Sequence, residues 1–411
     1  MSVPPVAAAG AHTAAGAHTA PGADPTARDA RLRVLVVGGG VAAVEAVLAL
    51  HDFAAERVAV TLLAPNRELV YRALGVRDPF ARRGTVAVPL APILDPVGVR
   101  QHVGTLRWID PRQRLVYTER SEPLGYDAVL LALGARQWAR YPRALTLDPL
   151  RLDEQMHGIV ADVERGDLDQ VAFVIPPGRV WPLPIYELAL MLSGRAAAMG
   201  QAPEISIITP EASPLRIFGE AASLAVGERL ATAGIRLHTS ASAQVRPGGQ
   251  IALRGESRDL HADVVVALPE LVGPSVAGLP ATALHGFVAT DAHGRIRHLE
   301  HVFAAGDMTD FPVKQGAIAA QQARSVAQEL AAEAGAAIVC EPCEPILHGV
   351  LLGGSRPLYL RARLVGGWAA TSEVSDTPLW PGAEKIHAPY LTHAISELRG
   401  PNISADALAP V

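Results

Sequence analysis

The residues with the plainest chemical meaning in this chain are Gly38, Gly39 and Gly40, followed by Val41, Ala42 and Ala43. Their spacing is that of G-x-G-x-x-G with alanine in the last place. Gly38 allows a tight turn, and Gly40 lets backbone approach a pyrophosphate with no Cβ between. Ala43 is small enough for a helix to pack closely on a sheet. The flanks agree. Val34 to Val37 is a short apolar run suited to a strand buried on both faces, and the alanine-rich segment after it has helical character. A helix starting there offers free N–H groups and a positive dipole end to phosphates. The chemistry implied is dinucleotide binding.

A second group lies far along the chain. The apolar run VFAA ends in Gly306-Asp307, and Lys314-Gln315-Gly316 opens a helical segment predicted over about 315–334. An ionised aspartate only accepts hydrogen bonds and suits a row of hydroxyl donors; alone, it reads as the start of a turn. Lysine is disfavoured at a positive dipole end, so Lys314 calls for an anionic neighbour or for exposure. Only two of the 36 basic residues are lysines, Lys314 and Lys385. Arginine-rich coding explains the bias and leaves those two positions to inspect. Glu187, after Tyr186, falls at the start of a helix predicted over 184–199, where the dipole alone favours a carboxylate. Cys340 and Cys343 form a C-x-x-C in a proline-bearing stretch, with no other cysteine to complete a four-cysteine metal site. They read as an incidental linker. His285, His293, His298 and His301 cluster only in sequence, and no metal site is expected.

The elements that must hold these residues alternate strand and helix. Val58 to Leu63 reads as a second parallel strand, and the stretch 100–120 as a β-meander turning at Asp110-Pro111. It leads to Tyr126-Asp127, the apolar run AVLLAL and Gly134-Ala135. From about Leu145 the pattern restarts, with strands at 171–175, 205–209, 235–238 and 263–268 and a helix over 219–233. The turn of this second unit, 176–184, holds four prolines and one glycine where a second G-x-G-x-x-G would bind NAD(P)H. The fold expected is α/β, with two Rossmann-like domains and a small C-terminal one. The first spans 31–145 and 285–335, the second, 146–284, is inserted in it, and the third is 336–411. Residues 1–30 read as a disordered low-complexity tail. In the third domain LLGGSRP, 351–357, reads as a hairpin turn. Pro389 can open a short helix with Leu391, Ala394, Ile395 and Leu398 on one stripe.

Composition narrows the class. At 411 residues, 49% hydrophobic and 19% charged, the chain can bury a large core. A net charge of −5 gives no basic footprint for nucleic acid. No apolar run reaches the roughly 18 residues of a membrane span. The N-terminus lacks a basic n-region with an apolar core, and both cysteines come late, which suggests a reducing, cytoplasmic setting.

Four segments in order resemble the two-dinucleotide-fold flavoproteins of the pyridine nucleotide-disulfide oxidoreductase superfamily, over about residues 31–335. They are VVGGGVAAVEA, YDAVLLALGA, the second βαβ unit and HVFAAGDMTDFPVKQGAIAAQQA. The branch resembled holds sulfide:quinone reductases, flavocytochrome c sulfide dehydrogenases and type II NADH dehydrogenases. The resemblance implies FAD as cofactor, with Asp307 on its ribityl hydroxyls and the turn Ala132 to Gly134 passing it. It also implies backbone near Leu106 at the adenine, and Tyr71, Arg72 and Leu74 near the ring or pyrophosphate. Relatives end the second strand with Asp or Glu on the ribose; here Asn66 or backbone would serve. Lys314, Gln315 and Gly316 would face the N1/O2 edge of the flavin. In the sulfide-oxidising members the residue matching Glu187 faces the active site, so Lys314 and Glu187 are the catalytic candidates. Those members carry redox cysteines near this chain's Trp181 and Leu352-Gly353-Gly354, so persulfide chemistry is not expected here.

The function implied is an FAD-dependent oxidoreductase, passing two electrons from a small-molecule donor to a quinone or other acceptor. The alternatives are an NAD(P)H:acceptor dehydrogenase with a non-glycine turn, and a flavin-holding sensor without turnover. Membrane-bound relatives reach quinone through C-terminal amphipathic segments, which implies peripheral contact with the inner face of a membrane as one use of the 389–398 stripe; a short helix with few basic residues more often packs on its own protein. The oligomeric state is left open.

Overall fold

The computed structural model describes residues 31–81, 84–119, 122–254, 259–280, 285–354, 356–382 and 384–399. The tail expected over 1–30 lies outside the described residues. In chain order the first unit runs β1 (Leu32–Val37), α1 (Val41–Ala54), β2 (Val58–Ala64), β3 (Arg100–Val103) and β4 (Ala128–Leu131). The second runs β5 (Leu145–Thr146), α2 (Leu152–Arg165), β6 (Gln170–Val174), α3 (Leu183–Ala198), β7 (Glu204–Ile208), α4 (Glu220–Thr232), β8 (Arg236–His238) and β9 (Val264–Ala267). Then follow β10 (Val302–Ala304), α5 (Gly316–Glu333), β11 (Ile346–Leu351), β12 (Leu358–Val365), β13 (Glu373–Ser375) and α6 (Pro389–Arg399).

Two parallel sheets result. The first has the order β10-β4-β1-β2-β3 and the second β5-β9-β6-β7-β8. All their pairs are parallel, as in Val37 against Leu63 and Leu131, or Val174 against Ile208 and Ala267. Their apolar runs are buried on both faces: Val34 to Val37 and Ala128 to Leu131 are each at most 2% exposed. α1 leaves β1, and α3 leaves β6, where the strand order of each sheet reverses, the switch point at which open α/β sheets bind ligands. Residues 136–138 and 270–272 pair antiparallel where the chain passes between the sheets.

The expected strands and helices fall within one or two residues of those formed. The meander is shorter than expected, because 100–103 joins the first sheet while 106–110 and 115–118 make the hairpin around Asp110-Pro111. The turn read in LLGGSRP does join two antiparallel strands, β11 and β12. The stripe on α6 packs on the protein itself. Leu391 and Ile395 are buried in the core shared with α1, and the Glu45 carboxylate of α1 accepts from the Leu391 N–H at 2.8 Å. Only Leu398 is left outward, 44% exposed. Among the described residues no helix is long and apolar enough to cross a membrane.

Candidate active site

The ends of β1, β4 and β10 and the starts of α1 and α5 open on one cavity of about 760 Å³. The glycine turn forms its floor. Gly38 donates to the Leu63 carbonyl at 2.8 Å and has φ +132°, and a Cβ there would lie 2.2 Å from the Ala132 carbonyl oxygen. The fold itself therefore requires glycine at 38. Gly40 differs: a Cβ there would meet no protein atom within 4 Å. The space above it belongs to the cavity, and α1 begins with no side chain capping it. Open N–H groups at a helix start, with room above them, are the cradle a pyrophosphate needs.

Small residues bring the second helix to the same place. Gly306, at φ +79°, sits where a Cβ would press on Ala42 and Ala319, so α1 and α5 converge on the turn after β10. Asp307 follows, its half-buried carboxyl lining the wall and pushed above the usual carboxylate range by desolvation, with Lys314 and the Gln315 backbone opposing. A half-buried acceptor in the cavity wall fits the hydroxyls of a ribityl chain. The start of α5 corrects the sequence reading. Gln315 caps it, its Oε1 accepting from the N–H groups of Ala317 and Ile318 at 2.9 and 3.1 Å. Two donors expected to face a ligand are thus satisfied internally.

Lys314 precedes that cap and is 2% exposed. Its Nζ donates to the Thr309 carbonyl and stands 3.9 Å from the centroid of the Phe287 ring. Burial pushes it down to about 7, against the pull of Asp307. Glu187 is not a cap. It lies in the second turn of α3, wholly buried, and pairs with Lys385 Nζ at 2.6 and 2.7 Å while accepting from the Leu352 N–H at 3.0 Å. Burial favours the neutral form of both partners, raising the carboxyl and lowering the ammonium. Both lysines of the chain therefore line one cavity, together with Glu187 and Trp181.

Most of the expected residues meet in this wall: Gly38 to Ala42, Arg72, Leu106, Ala132, Gly134 and the residues from 306 to 316 named above. Four do not. Asn66 is exposed, and its carbonyl accepts from Gln101 Nε2 at 2.7 Å; Pro65 and Gly104 line that end instead. Ala43 is buried between helix and sheet, the packing use of its small side chain rather than a contact with ligand. Tyr71 and Leu74 turn away, while Ala73 and Val76 line the wall. Sequence reasoning missed Lys385, although its rarity was the signal, and missed Phe287, for which no signal exists. Of the four histidines, His293 pairs with Glu329 at 2.7 Å and His301 with Glu333 at 3.0 Å, with Arg295 bonded to both acids. They tie the turn before β10 to α5. Cys340 and Cys343 are free and stand outside the main cavity, and burial pushes the Cys343 thiol up to about 11.

The second turn is built otherwise. Trp181 packs on Phe218, and the acidic residue after β7, Glu211, accepts from Tyr186 Oη at 2.6 Å and Thr209 Oγ1 at 3.0 Å. Burial holds both the Glu211 carboxyl and the Tyr186 phenol protonated to higher pH than usual.

Residues 186–327 match the pyridine nucleotide-disulphide oxidoreductase family. The fold is similar to the sulfide:quinone oxidoreductase of the hyperthermophilic bacterium Aquifex aeolicus, with a TM-score of 0.74 at 17% identity, covering 90% of this chain and 92% of that one. A ferredoxin reductase from Rhodopseudomonas palustris matches at 0.60 and 18% identity, over 80% and 82% of the two chains. An NAD-dependent persulfide reductase from A. fulgidus matches at 0.59 and 16%, over 80% and 64%. No curated protein matches the chain in sequence.

Proposed function

We propose that the protein is an FAD-dependent oxidoreductase of the pyridine nucleotide-disulphide oxidoreductase superfamily, which oxidises a small-molecule donor other than NAD(P)H and delivers two electrons to a quinone or other acceptor. When bound, FAD supplies the two-electron chemistry, and the protein binds and tunes it. The open start of α1 above Gly40 would hold the pyrophosphate, with Arg72 in the same wall. Asp307 would accept from the ribityl hydroxyls, the backbone near Leu106 would border the adenine, and the turn Ala132 to Gly134 would pass the cofactor. Lys314 and the Glu187–Lys385 pair line the same cavity, where each can hold a proton on Nζ or Oε.

The observation that carries the choice of donor is the proline turn after β6. Pro176, Pro177 and Pro182 supply no N–H to a second pyrophosphate, and α3 starts only after them. The acid that would hold a nucleotide ribose is occupied as well, because Glu211 is bonded to Tyr186 and Thr209. Trp181 in the wall brings no sulfur, which sets sulfide below other donors.

Anaerobic titration of the purified yellow protein tests this. NADH and NADPH should leave the oxidised flavin spectrum unchanged over minutes, while a screen of quinols, sulfide and other small reductants finds the donor that bleaches it. Rapid bleaching by either nicotinamide would overturn the reading in favour of an NAD(P)H:acceptor dehydrogenase. If no reductant bleaches a flavin that dithionite reduces, the protein is a sensor rather than an enzyme of turnover.

A further inference from the structure

The proline turn has a contact of its own with the wall of the cavity. Arg179 lies within it, pinned by its carbonyl, which accepts from the Leu271 N–H at 2.8 Å. Its side chain crosses to the loop before α5, where Nη1 donates to the Asp310 carbonyl at 3.1 Å. The adjacent carbonyl, of Thr309, is taken by Lys314 Nζ. The two cations also share one aromatic ring. The guanidinium carbon of Arg179 is 5.7 Å and Lys314 Nζ 3.9 Å from the centroid of Phe287, itself 2% exposed. Among the described residues Lys314 makes no salt bridge, unlike Lys385.

We propose that Arg179 is a positioning residue, which acts on the cavity through the Phe287 ring and the 309–310 loop and sets a fixed positive charge beside Lys314. A guanidinium stays charged at every accessible pH, so it is a fixed positive charge beside a buried amine. Four influences meet at Lys314. Burial favours the amine most, Asp307 favours the ammonium, Arg179 opposes it, and Asp310 supports it weakly. Removing Arg179 removes the one fixed like charge in that set, and the amine binds its proton more tightly. The turn that has lost the form for nucleotide binding thereby acquires a role at the flavin end of the cavity. The scarcity of lysine agrees with this. Arginine serves every other basic position but Lys385, and it cannot release a proton near neutral pH.

Because the chain has two lysines, lysine-selective 13C labelling of the FAD-containing protein gives two Cε signals, and Lys314→Met identifies one of them. In the unsubstituted protein the Lys314 signal should titrate near neutral pH. In Arg179→Gln its midpoint should rise by about one pH unit. Arg179→Lys restores the charge, and should return the midpoint toward that of the parent while adding a third signal that titrates in the ordinary lysine range. A visible flavin spectrum that changes with pH at the same midpoint, and moves with it in Arg179→Gln, reports the effect at the ring. A Lys314 midpoint unmoved by Arg179→Gln, or a Lys314 signal that stays protonated to pH 10, would overturn the proposal. The proposal rests on FAD occupying the cavity, not on the identity of the donor. Bleaching by NADPH would remove the donor reading and leave the titration as it stands, so the two can fail separately.

Discussion

The two parallel sheets run the same program up to the first turn and then diverge. Each sends a central strand, β1 or β6, into a turn at the switch point and a helix, α1 or α3, away from it. Where β1 leads into glycine, β6 leads into proline, and one turn opens N–H groups while the other removes them. The helices keep a shared feature all the same. Glu45 is the fifth residue of α1 and Glu187 the fifth of α3, and both are wholly buried. Both hold the C-terminal segment, Glu45 at the N–H groups of Tyr390 and Leu391, Glu187 at Lys385 and the Leu352 N–H. A repeated fold can thus keep a structural anchor while it gives up a ligand site. Binding depended on backbone donors in the turn, and anchoring depended on one acid a turn further along.

The largest expected effect separates the two turns. Gly38→Val places a β-branched side chain at φ +132° and drives Cβ onto the Ala132 carbonyl between β1 and β4. Strain and overlap of this kind cost more than about 4 kcal/mol, so folded protein and flavin should both be lost. At Gly40 an added Cβ meets no protein atom within 4 Å, so Gly40→Val should fold with unchanged circular dichroism yet retain no FAD. In the proline turn, Gly178→Ala at φ +115° is strained and presses on the buried Glu270 side chain paired with Arg140, a cost to stability away from the glycine turn, and should keep its flavin. Flavin-to-protein absorbance ratios order the three. A Gly40→Val protein that is fully yellow would show that the pyrophosphate does not lie above residue 40.

A middle-sized effect comes from the anchor at α3. Lys385→Met leaves the Glu187 carboxylate buried without its partner, which costs about 3–5 kcal/mol. Glu187→Gln with Lys385→Met removes both charges and should recover most of that loss. Denaturant unfolding of the four proteins closes the cycle. Equal stability for the single and double Lys385 variants would mean that the charge pair does not hold the segment.

How far the residues foretold this arrangement depended on whether the signal was local. Strand, glycine turn and helix are contiguous, so the cradle at 38–42 was readable, as was the proline turn that lacks one. Asp307 was readable because a buried strand led directly into it. Glu187 was placed correctly on its helix and misread in its use, because its partner Lys385 lies 198 residues away and no periodicity links them. The self-capping of α5 by Gln315 went unread for a related reason: glutamine is seldom an N-cap, and only coordinates reveal where its Oε1 points. Phe287 had no legible role at all, since an aromatic ring between two cations is created by three loops meeting.

The smallest expected effect concerns the other glutamate and turns on a sign. Glu45 accepts two N–H groups at the start of α6, a place where a helix dipole favours the anion. Burial works the other way and prevails, so its carboxyl is held above the usual range. An acid raised in the folded state binds more protons there than in the unfolded chain. Its contribution is fully present below the unfolded value and is lost as pH rises through the folded one. Glu45→Gln imitates the protonated acid and cannot ionise. The variant should therefore match the parent near pH 4 and gain on it as pH rises to 7, by about 1 kcal/mol. Denaturant midpoints at four pH values between 4 and 7 read this difference directly. A parent that gains on the variant with rising pH would mean that the α6 dipole outweighs burial, and that the anchor at α1 is an ionic one like its counterpart at α3.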